Sequence, residues 1–299
     1  MAKFLVTGGA GFIGSNIVEA LVEQGHEVSI IDNLSTGKKE NVNPRAKFFN
    51  VDLRELEQIK PIFQGVDFVL HEAALARVEP SIKDPITYHD NNVNATLNVL
   101  VAARDAKVKK VVYASSSSIY GDQEKMPLSE DMPANPTSPY GLQKYIGEEY
   151  CRVFSYLYKL PTVCLRYFNV YGPRMATEGA YASVISIFGQ QRQKGQSMTI
   201  AGDGTHLRTY TFVGDIIRAN ILAAQSEISD GRAINTGQST EYSVNEIAQM
   251  FDGPTTNIAG RIEPVRNLCG NSLAKKLLNW EPTMDLPQWM PTYKKEMGI

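Results

Sequence analysis

The stretch from Lys3 to Glu23 constrains the fold of this 299-residue chain more than any other. An apolar run over residues 3–7 is followed by a glycine-dense segment and then by helical periodicity. A helix that begins directly after a parallel strand directs unpaired N–H groups and a partial positive charge at the turn, where a phosphate binds. Gly8, Gly11 and Gly14 permit the tight turn and the close approach of a pyrophosphate. The stretch therefore predicts a dinucleotide site.

A carboxylate after the second predicted strand indicates which dinucleotide is bound. This strand covers residues 26–31 and is followed by Asp32. A carboxylate at this place accepts hydrogen bonds from both ribose hydroxyls of NAD and repels the extra phosphate of NADP. A glycine turn that only packs an unliganded α/β domain is the structural alternative. We predict NAD as the cofactor.

Strands and helices alternate regularly up to Arg166, which predicts an α/β fold with a doubly wound parallel sheet of the Rossmann type. Further strands are predicted at 47–51, 66–70, 110–114 and 161–166, with helices at 55–63, 85–106 and 139–158. Beyond Arg166 the predicted elements are short and mixed. We expect an NAD-binding domain over residues 1–166, with 212–228 packing back on it, and a smaller mixed α/β substrate domain over the remainder of 167–299.

Polar residues at strand ends and within one helix allow two interpretations each. Asp52 follows the third strand, where it could meet an adenine amine or cap the next helix. His71 ends the fourth strand as either a packed or a functional residue. Asn91 lies in the middle of a predicted helix, where asparagine needs a partner, and the alternative is an amide that faces solvent.

Charge and cysteine content argue against several classes of partner and of site. The chain has 30 Lys and Arg against 32 Asp and Glu, which argues against nucleic acid and membrane surfaces as partners. Its cysteines are odd in number and lack metal-type spacing, so we predict neither a disulfide framework nor a metal site. The chain enters a strand at once and has no long apolar run, and we expect a cytoplasmic protein.

Tyr140 and Lys144 form the sharpest catalytic pattern. On a helix the two residues lie on one face, one turn apart. A nearby ammonium favours phenolate and lowers the tyrosine pKa from its reference of about 10, so Tyr140 could act as a general base. Ser116, at the end of a neighbouring strand, can donate a hydrogen bond to the same substrate oxygen. The trio predicts removal of a hydroxyl proton while hydride leaves the carbon that carries the hydroxyl. The alternative is that Tyr140 and Lys144 only lie side by side on the surface of a helix.

Several motifs together resemble the extended short-chain dehydrogenase/reductase family. They are the glycine turn, the serine strand end with Tyr120-Gly121, Tyr140-xxx-Lys144 and Arg166-Tyr-Phe-Asn169. Within that family the chain is similar to the UDP-hexose 4-epimerases, in Asp32-Asn-Leu34, Asp90-Asn-Asn-Val-Asn94, Ser-Ser-Ser-Ile-Tyr-Gly and Tyr-Phe-Asn-Val-Tyr-Gly-Pro-Arg. The resemblance implies NAD-dependent 4-epimerisation of a UDP-sugar through a transient 4-keto sugar.

The resemblance also implies roles for the matched residues. Tyr140 would be the base on the sugar 4-hydroxyl, Lys144 would tune the phenol and hold the nicotinamide ribose, and Ser116 with Ser117 would bind the 4-oxygen. Contacts to the diphosphate of the nucleotide-sugar are implied for Asn169 and Arg208, because arginine forms charge-assisted hydrogen bonds with phosphate. Contacts to NAD are implied for Phe12, Ile13, Asp32, Asn33, Asp52, Leu53, Ala74, Asn91 and Tyr167.

Positions that differ between subfamilies favour plain epimerisation. Where sugar 4,6-dehydratases carry an Asp-Glu pair and glucuronate decarboxylases a Glu, this chain has Ser117 and Ser118.

Cys269 falls where epimerases carry a residue that limits room around the sugar C2 substituent, and a cysteine leaves space for an acetamido group. We expect UDP-GlcNAc and UDP-GalNAc to be accepted along with UDP-glucose and UDP-galactose. The segments Ser81–Pro85 and Glu178–Ala182 also resemble the N-acetylhexosamine branch.

The C-terminal part departs from the family. Arg261 is displaced by one residue from the expected phosphate-binding arginine, and Arg266 is the other candidate. Two rival functions stay open, namely another nucleotide-sugar enzyme of this fold (dehydratase, decarboxylase or reductase) and a non-catalytic dinucleotide-binding regulator.

The resemblance further implies a homodimer built from two helix faces. These faces carry apolar residues at helical spacing, and packing within the monomer is the alternative. Their members are Val93, Leu97 and Leu100 on one helix and Tyr150, Val153, Phe154 and Leu157 on the other.

Overall fold

The computed structural model describes residues 1–177, 182–260 and 266–299, so Arg261 and most of the Glu178–Ala182 segment lie outside the described residues. Up to residue 167 the chain consists of strands connected mostly by helices. They are β1 (Lys3–Thr7), α1 (Phe12–Glu23), β2 (Glu27–Ile31), β3 (Lys47–Phe49), α2 (Leu56–Ile59), β4 (Phe68–His71), α3 (Val78–Lys83), α4 (Pro85–His89), α5 (Ala95–Asp105), β5 (Lys110–Ser116), α6 (Pro139–Tyr158) and β6 (Thr162–Tyr167).

After residue 167 the described elements are shorter and mixed, as predicted. They are β7 (Val170–Tyr171), α7 (Val184–Gln193), β8 (Met198–Ala201), β9 (Leu207–Arg208), β10 (Thr211–Phe212), α8 (Val213–Gln225), β11 (Ala233–Thr236), β12 (Tyr242–Ser243), α9 (Val244–Phe251), β13 (Thr255–Ile258), β14 (Arg266–Asn267), α10 (Ser272–Leu278) and α11 (Leu286–Met297).

Seven strands form one parallel sheet in the order β11-β6-β5-β4-β1-β2-β3, which confirms the predicted fold class. The strand order reverses between β1 and β4. Thr7 and His71, which end these two strands, are register partners at that point. Ligands of open parallel sheets bind at the carboxyl ends of the strands beside such a reversal. The glycine turn after β1 therefore opens on the expected ligand crevice.

Several elements differ from the prediction, among them the unpredicted helices α3 and α11, and two of the differences affect the sheet and the helices beside it. The helix predicted over residues 85–106 is interrupted, because a π-helical turn over Asp90–Asn94 separates α4 from α5. The seventh strand, β11, is absent from the prediction. Its four residues, Ala-Ile-Asn-Thr, are too few and combine apolar and polar side chains, so the sequence does not indicate a strand. They form one by pairing with β6.

A hydrophobic core covers each face of the sheet. One core includes residues of α1, α8 and α10, so residues 213–225 lie against the sheet. The opposite core includes residues of α5 and α6. Val93, Leu100 and Phe154 are buried within the chain, which corrects the prediction that they form part of a dimer face. A third core joins α7, α9 and α11 in the C-terminal part.

Candidate active site

The glycine turn forms a tight cradle between β1 and α1. A Cβ on Gly14 would lie 2.2 Å from the carbonyl oxygen of Gly8, and one on Gly8 would lie 2.8 Å from Cα of Ala73. Gly11 is the N-cap of α1 and brings no side chain to the first turn, which starts with Phe12 and Ile13. The N–H groups of that turn can therefore face an anion. The cradle fits the pyrophosphate of a dinucleotide.

The Asp32 carboxylate is held in a fixed orientation at the end of β2. It accepts hydrogen bonds from the backbone N–H groups of Ala10, at 3.0 Å, and Leu34, at 2.8 Å. Each carboxylate oxygen has more than one acceptor site. Asp32 can thus still accept hydrogen bonds from ribose hydroxyls, as the NAD prediction requires.

Asp52 belongs to a polar group beside Asp32, together with Asn33. Asn33 Nδ2 donates to Asp52 Oδ2 at 2.9 Å, and the Arg54 guanidinium donates to both carboxylate oxygens. The hydrogen bonds from the Arg54 side chain lower the pKa of Asp52 to about 2. The alternative role as a helix cap is wrong, because α2 has Glu55 as its N-cap. Leu53, the next predicted contact, is buried.

Ser116 and Tyr140 meet at the carboxyl end of β5. Their side chains lie close enough for the Ser116 hydroxyl to lower the pKa of Tyr140, and Ser116 Oγ accepts from Ser118 Oγ at 2.9 Å. Tyr140 lies in the first turn of α6, where its backbone N–H donates to Ser81 Oγ at 3.1 Å. A Cβ on Gly141 would lie 2.6 Å from the Ser118 carbonyl oxygen, so α6 packs closely on this strand end. The predicted serine and tyrosine therefore share one site.

Lys144 lies one turn further along α6 and is buried. Its Nζ donates to the Ala114 carbonyl oxygen at 2.7 Å, and burial lowers its pKa to about 8. Burial raises the pKa of Tyr140, while the Ser116 hydrogen bond and the charge of Arg77 lower it. The predicted lowering of the Tyr140 pKa by Lys144 is therefore not found among the chain's own groups, because the ammonium is bound to β5.

Glu72 is a residue of this region that the sequence does not reveal as functional. It follows β4, and its Oε1 accepts from the Tyr167 hydroxyl at 2.9 Å, which itself accepts from Asn220 Nδ2 at 2.7 Å. Burial raises the pKa of Glu72 to about 7. The only sequence signal is a glutamate placed directly after a buried strand.

His71 is a packed strand-end residue rather than a catalytic one. Its ring nitrogens lie 2.7 Å from Thr7 Oγ1 and 2.9 Å from Thr96 Oγ1. Burial lowers the pKa of His71 to about 3. The neutral ring joins β4 to β1 and α5.

Two neighbouring asparagines in the π-helical turn have different environments. Asn91 Nδ2 donates to the Thr87 carbonyl oxygen of its own helix, near the surface. Asn92 is buried and bonds both backbone groups of Leu75 and the Gln143 side chain, at 2.8 to 3.0 Å. Asn92 therefore fixes the segment after β4 that contains Ala74, a predicted NAD contact.

The predicted diphosphate residues lie on adjoining short elements. Asn169 follows β6 and donates to the Thr209 carbonyl oxygen at 2.8 Å. Arg208 ends β9, where it is the register partner of Asn267 on β14. Arg266 forms an ion pair with Glu241 at 2.6 Å.

Cys269 lies in an apolar cluster, and its place beside the sugar C2 substituent stays a prediction. Its side chain is 2 % exposed and packs with Tyr120, Leu128 and Phe168. In the same segment, Asn267 Nδ2 donates to Ser117 Oγ at 3.3 Å.

Within the described ranges, no helix is long and apolar enough to cross a membrane. The same residues contain no cluster of three or more His, Cys, Asp or Glu that could hold a metal ion.

Known proteins resemble the chain in sequence and fold. The profile of the NAD dependent epimerase/dehydratase family matches residues 4–237. A putative UDP-glucose 4-epimerase of Methanocaldococcus jannaschii is 40% identical over 292 residues, covering 95% of this chain and 94% of the relative.

Two solved structures extend the likeness over almost the whole chain. UDP-glucose 4-epimerase of Thermotoga maritima, crystallised with UDP-glucose, superposes with a TM-score of 0.94 and 34% identity, covering 98% of this chain and 97% of that one. UDP-N-acetylglucosamine 4-epimerase of Methanobrevibacter ruminantium, in complex with UDP-N-acetylmuramic acid, gives a TM-score of 0.93 and 34% identity, with 99% and 97% coverage.

Proposed function

The chain belongs to the NAD dependent epimerase/dehydratase family, and from this premise we propose that it is an isomerase that inverts C4 of a UDP-hexose. The observation that carries the proposal is the meeting of the Ser116 and Tyr140 side chains at the end of β5, with Lys144 one helical turn away. A protein that only binds a dinucleotide would not require these three residues together beside its cofactor site. The glycine cradle and Asp32 suit the NAD on which the family depends.

The proposed mechanism uses the residues around Ser116. NAD, when bound, supplies a reversible hydride acceptor for the sugar C4. Tyr140 takes the proton of the 4-hydroxyl, and Ser116 donates a hydrogen bond to the oxygen that becomes the ketone. Lys144, one turn from the phenol, would hold the nicotinamide ribose, while the Ser116 hydroxyl and the Arg77 charge lower the pKa of Tyr140 and so favour its action as general base. After the 4-keto sugar has turned over, Tyr140 returns the proton to the oxygen.

Related chemistries need a carboxylic acid at the strand end after β5. Ser117 and Ser118 occupy those places, and a hydroxyl is too weak an acid or base to assist elimination or loss of carboxylate. Plain epimerisation, which needs only one proton carrier and one hydride carrier, is therefore favoured over dehydration and decarboxylation.

For the substrate, we propose that UDP-GlcNAc and UDP-GalNAc are accepted along with UDP-glucose and UDP-galactose. Support comes from Asn267, a medium-sized side chain that contacts Ser117, and from the likeness to a UDP-N-acetylglucosamine 4-epimerase. Asn267 is therefore a second candidate for this role, beside Cys269. For the diphosphate, Asn169 and Arg208 are our candidates, and Arg261 and Arg266 are the further ones.

The direct test is conversion of each of the four UDP-sugars by purified protein without added NAD, followed by chromatography. We expect each epimer pair to reach one equilibrium mixture from both sides. Tyr140→Phe should lower kcat by about a hundredfold or more, since general base catalysis contributes that much. Tyr145→Phe, on the same helix, serves as the matched control and should keep full activity. Full activity of Tyr140→Phe, or products lacking water or carboxylate, would refute the assignment.

A second variant tests the substrate assignment. Asn267→Tyr should lower kcat/KM for the N-acetylated pair by about tenfold or more while leaving UDP-glucose and UDP-galactose conversion within a few-fold, because a larger side chain beside Ser117 crowds the C2 substituent. Cys269→Tyr overfills an apolar cluster and should reduce both activities together through lost stability. A selective loss in Cys269→Tyr, with none in Asn267→Tyr, would assign the role to Cys269 alone.

A further inference from the structure

The Lys144 ammonium is held from two sides by β5. The Ala114 carbonyl oxygen accepts its hydrogen bond, and the ring of Tyr113 presents its face with its centroid 4.9 Å from Nζ. An ammonium within about 6 Å of an aromatic centroid is attracted by the negative face of the ring, more strongly when both are out of water. Lys144 and Tyr113 are 3 % and 1 % exposed. The contact therefore acts where screening by solvent is weak.

The hydroxyl of Tyr113 plays no part in this contact. It is buried without a hydrogen-bond partner among the described residues. It lies against α6 so closely that a Cβ on Gly147 would come within 2.2 Å of it. An unpaired buried hydroxyl is unfavourable, so the function of the residue must reside in its ring.

The ring is itself fixed by its neighbours. Tyr113 pairs in register with His71 on β4 and Cys164 on β6, and its ring centroid lies 5.7 Å from that of the neutral His71 imidazole. The rigid strand therefore sets the height of the ring beneath α6. Since Lys144 projects from α6 onto this ring, strand and helix together define where the ammonium lies.

We propose that Tyr113 is a positioning residue, whose ring face holds the Lys144 ammonium in its charged form at the catalytic edge. For its effect on turnover this inference rests on the proposed function. Burial alone favours the neutral amine, and the ring offsets part of that effect. Other titratable groups that act on Lys144 come from β4, α6 and β6, and they are His71, Glu72, Glu148, Cys151 and Cys164.

The test separates the electrostatics of the ring from its volume. Pentafluorophenylalanine introduced at position 113 keeps the shape of the ring and reverses the charge distribution on its face, whereas Tyr113→Phe keeps the face and removes only the unpaired hydroxyl. The ε-carbon of Lys144 is titrated by NMR in the whole protein labelled with ¹³C-lysine, and Lys144→Met assigns its signal. We expect the proton dissociation constant of Lys144 to rise about tenfold in the fluorinated protein and to stay within twofold in Tyr113→Phe.

Turnover gives the second measurement. The alkaline limb of the kcat profile should move to lower pH by about one unit in the fluorinated protein and stay in place in Tyr113→Phe. An unchanged Lys144 titration in a folded fluorinated protein overturns the proposal. A shifted titration in a chain without epimerase activity instead supports the positioning of Lys144 and refutes the proposed function alone.

Discussion

Glu72 links protonation to stability at the scale of a single residue. Burial raises its pKa from 4.5 to about 7, although the Tyr167 hydrogen bond and the Lys144 charge act in the opposite direction. Between these two pH values the folded chain keeps a proton that the unfolded chain has lost. The free energy of unfolding therefore falls as the pH rises through this window, and above the window it falls no further.

Glu72→Gln should remove this dependence, because a neutral amide of the same size cannot ionise. The variant is expected to be more stable than the parent chain by up to about 3 kcal/mol above pH 7 and about equal to it below pH 4.5. Urea unfolding at pH 5, 6 and 8 measures the difference. Glu23→Gln, at an exposed position, is the control and should leave the pH dependence unchanged. Identical curves for both variants would contradict the burial argument.

At the scale of elements, the π-helical turn between α4 and α5 places Asn92 inside the fold. An extra residue in one helical turn shifts the faces of the helix, so neighbouring asparagines have different partners. Asn92 bonds both backbone groups of Leu75, whereas Asn91 bonds only its own helix. The turn therefore serves to hold the segment after β4 against the sheet.

Asn92→Ala should lower the free energy of unfolding by about 3 kcal/mol, because it leaves buried donor and acceptor groups of Leu75 unpaired. Asn91→Ala, the matched control, should change stability by less than about 0.5 kcal/mol. If Asn91 also contacts NAD, as we propose from the family resemblance, its alanine variant will lose bound NAD while keeping its stability. Chemical unfolding and the NAD content of the purified proteins distinguish these effects. Equal stability loss in both variants would contradict the assignment to Asn92.

At the scale of the whole molecule, we propose a homodimer through the outer faces of α5 and α6. Leu157 on α6 is 58% exposed and Ile86 on α4 is 75% exposed, although Val93 and Phe154 of the predicted faces are buried within the chain. Leu97 and Tyr150 are partly exposed beside them. Apolar side chains exposed on packed neighbouring helices are typical of a surface that another subunit covers.

Leu157→Glu should convert a dimer to a monomer, since it places a charge within an apolar contact. Light scattering after size exclusion should give twice the 33.1 kDa chain mass for the parent and the chain mass itself for the variant. Ile258→Glu, at an exposed position on β13, is the control and should remain dimeric. A parent chain that is monomeric at micromolar concentration would refute the proposal.

Local chemistry explains which features could be predicted. The turn from Gly8 to Gly14, the carboxylate of Asp32, and the helix that carries Tyr140 and Lys144 are encoded by residues close together in the chain. Steric freedom, helix periodicity and strand-end polarity act over such short distances. The sequence by itself therefore determined the fold class and predicted the candidate trio of Ser116, Tyr140 and Lys144.

Contacts between distant segments required the tertiary structure. β11 is a strand only because β6 offers it a free edge, Glu72 is protonated near neutral pH only because the fold encloses it, and Asn267 reaches Ser117 from far along the chain. The Lys144 ammonium is a further case. It bonds to β5, whereas the sequence predicted that it lowers the pKa of Tyr140. Burial and long-range pairing depend on which segments meet, and the order of residues in any one segment does not specify that.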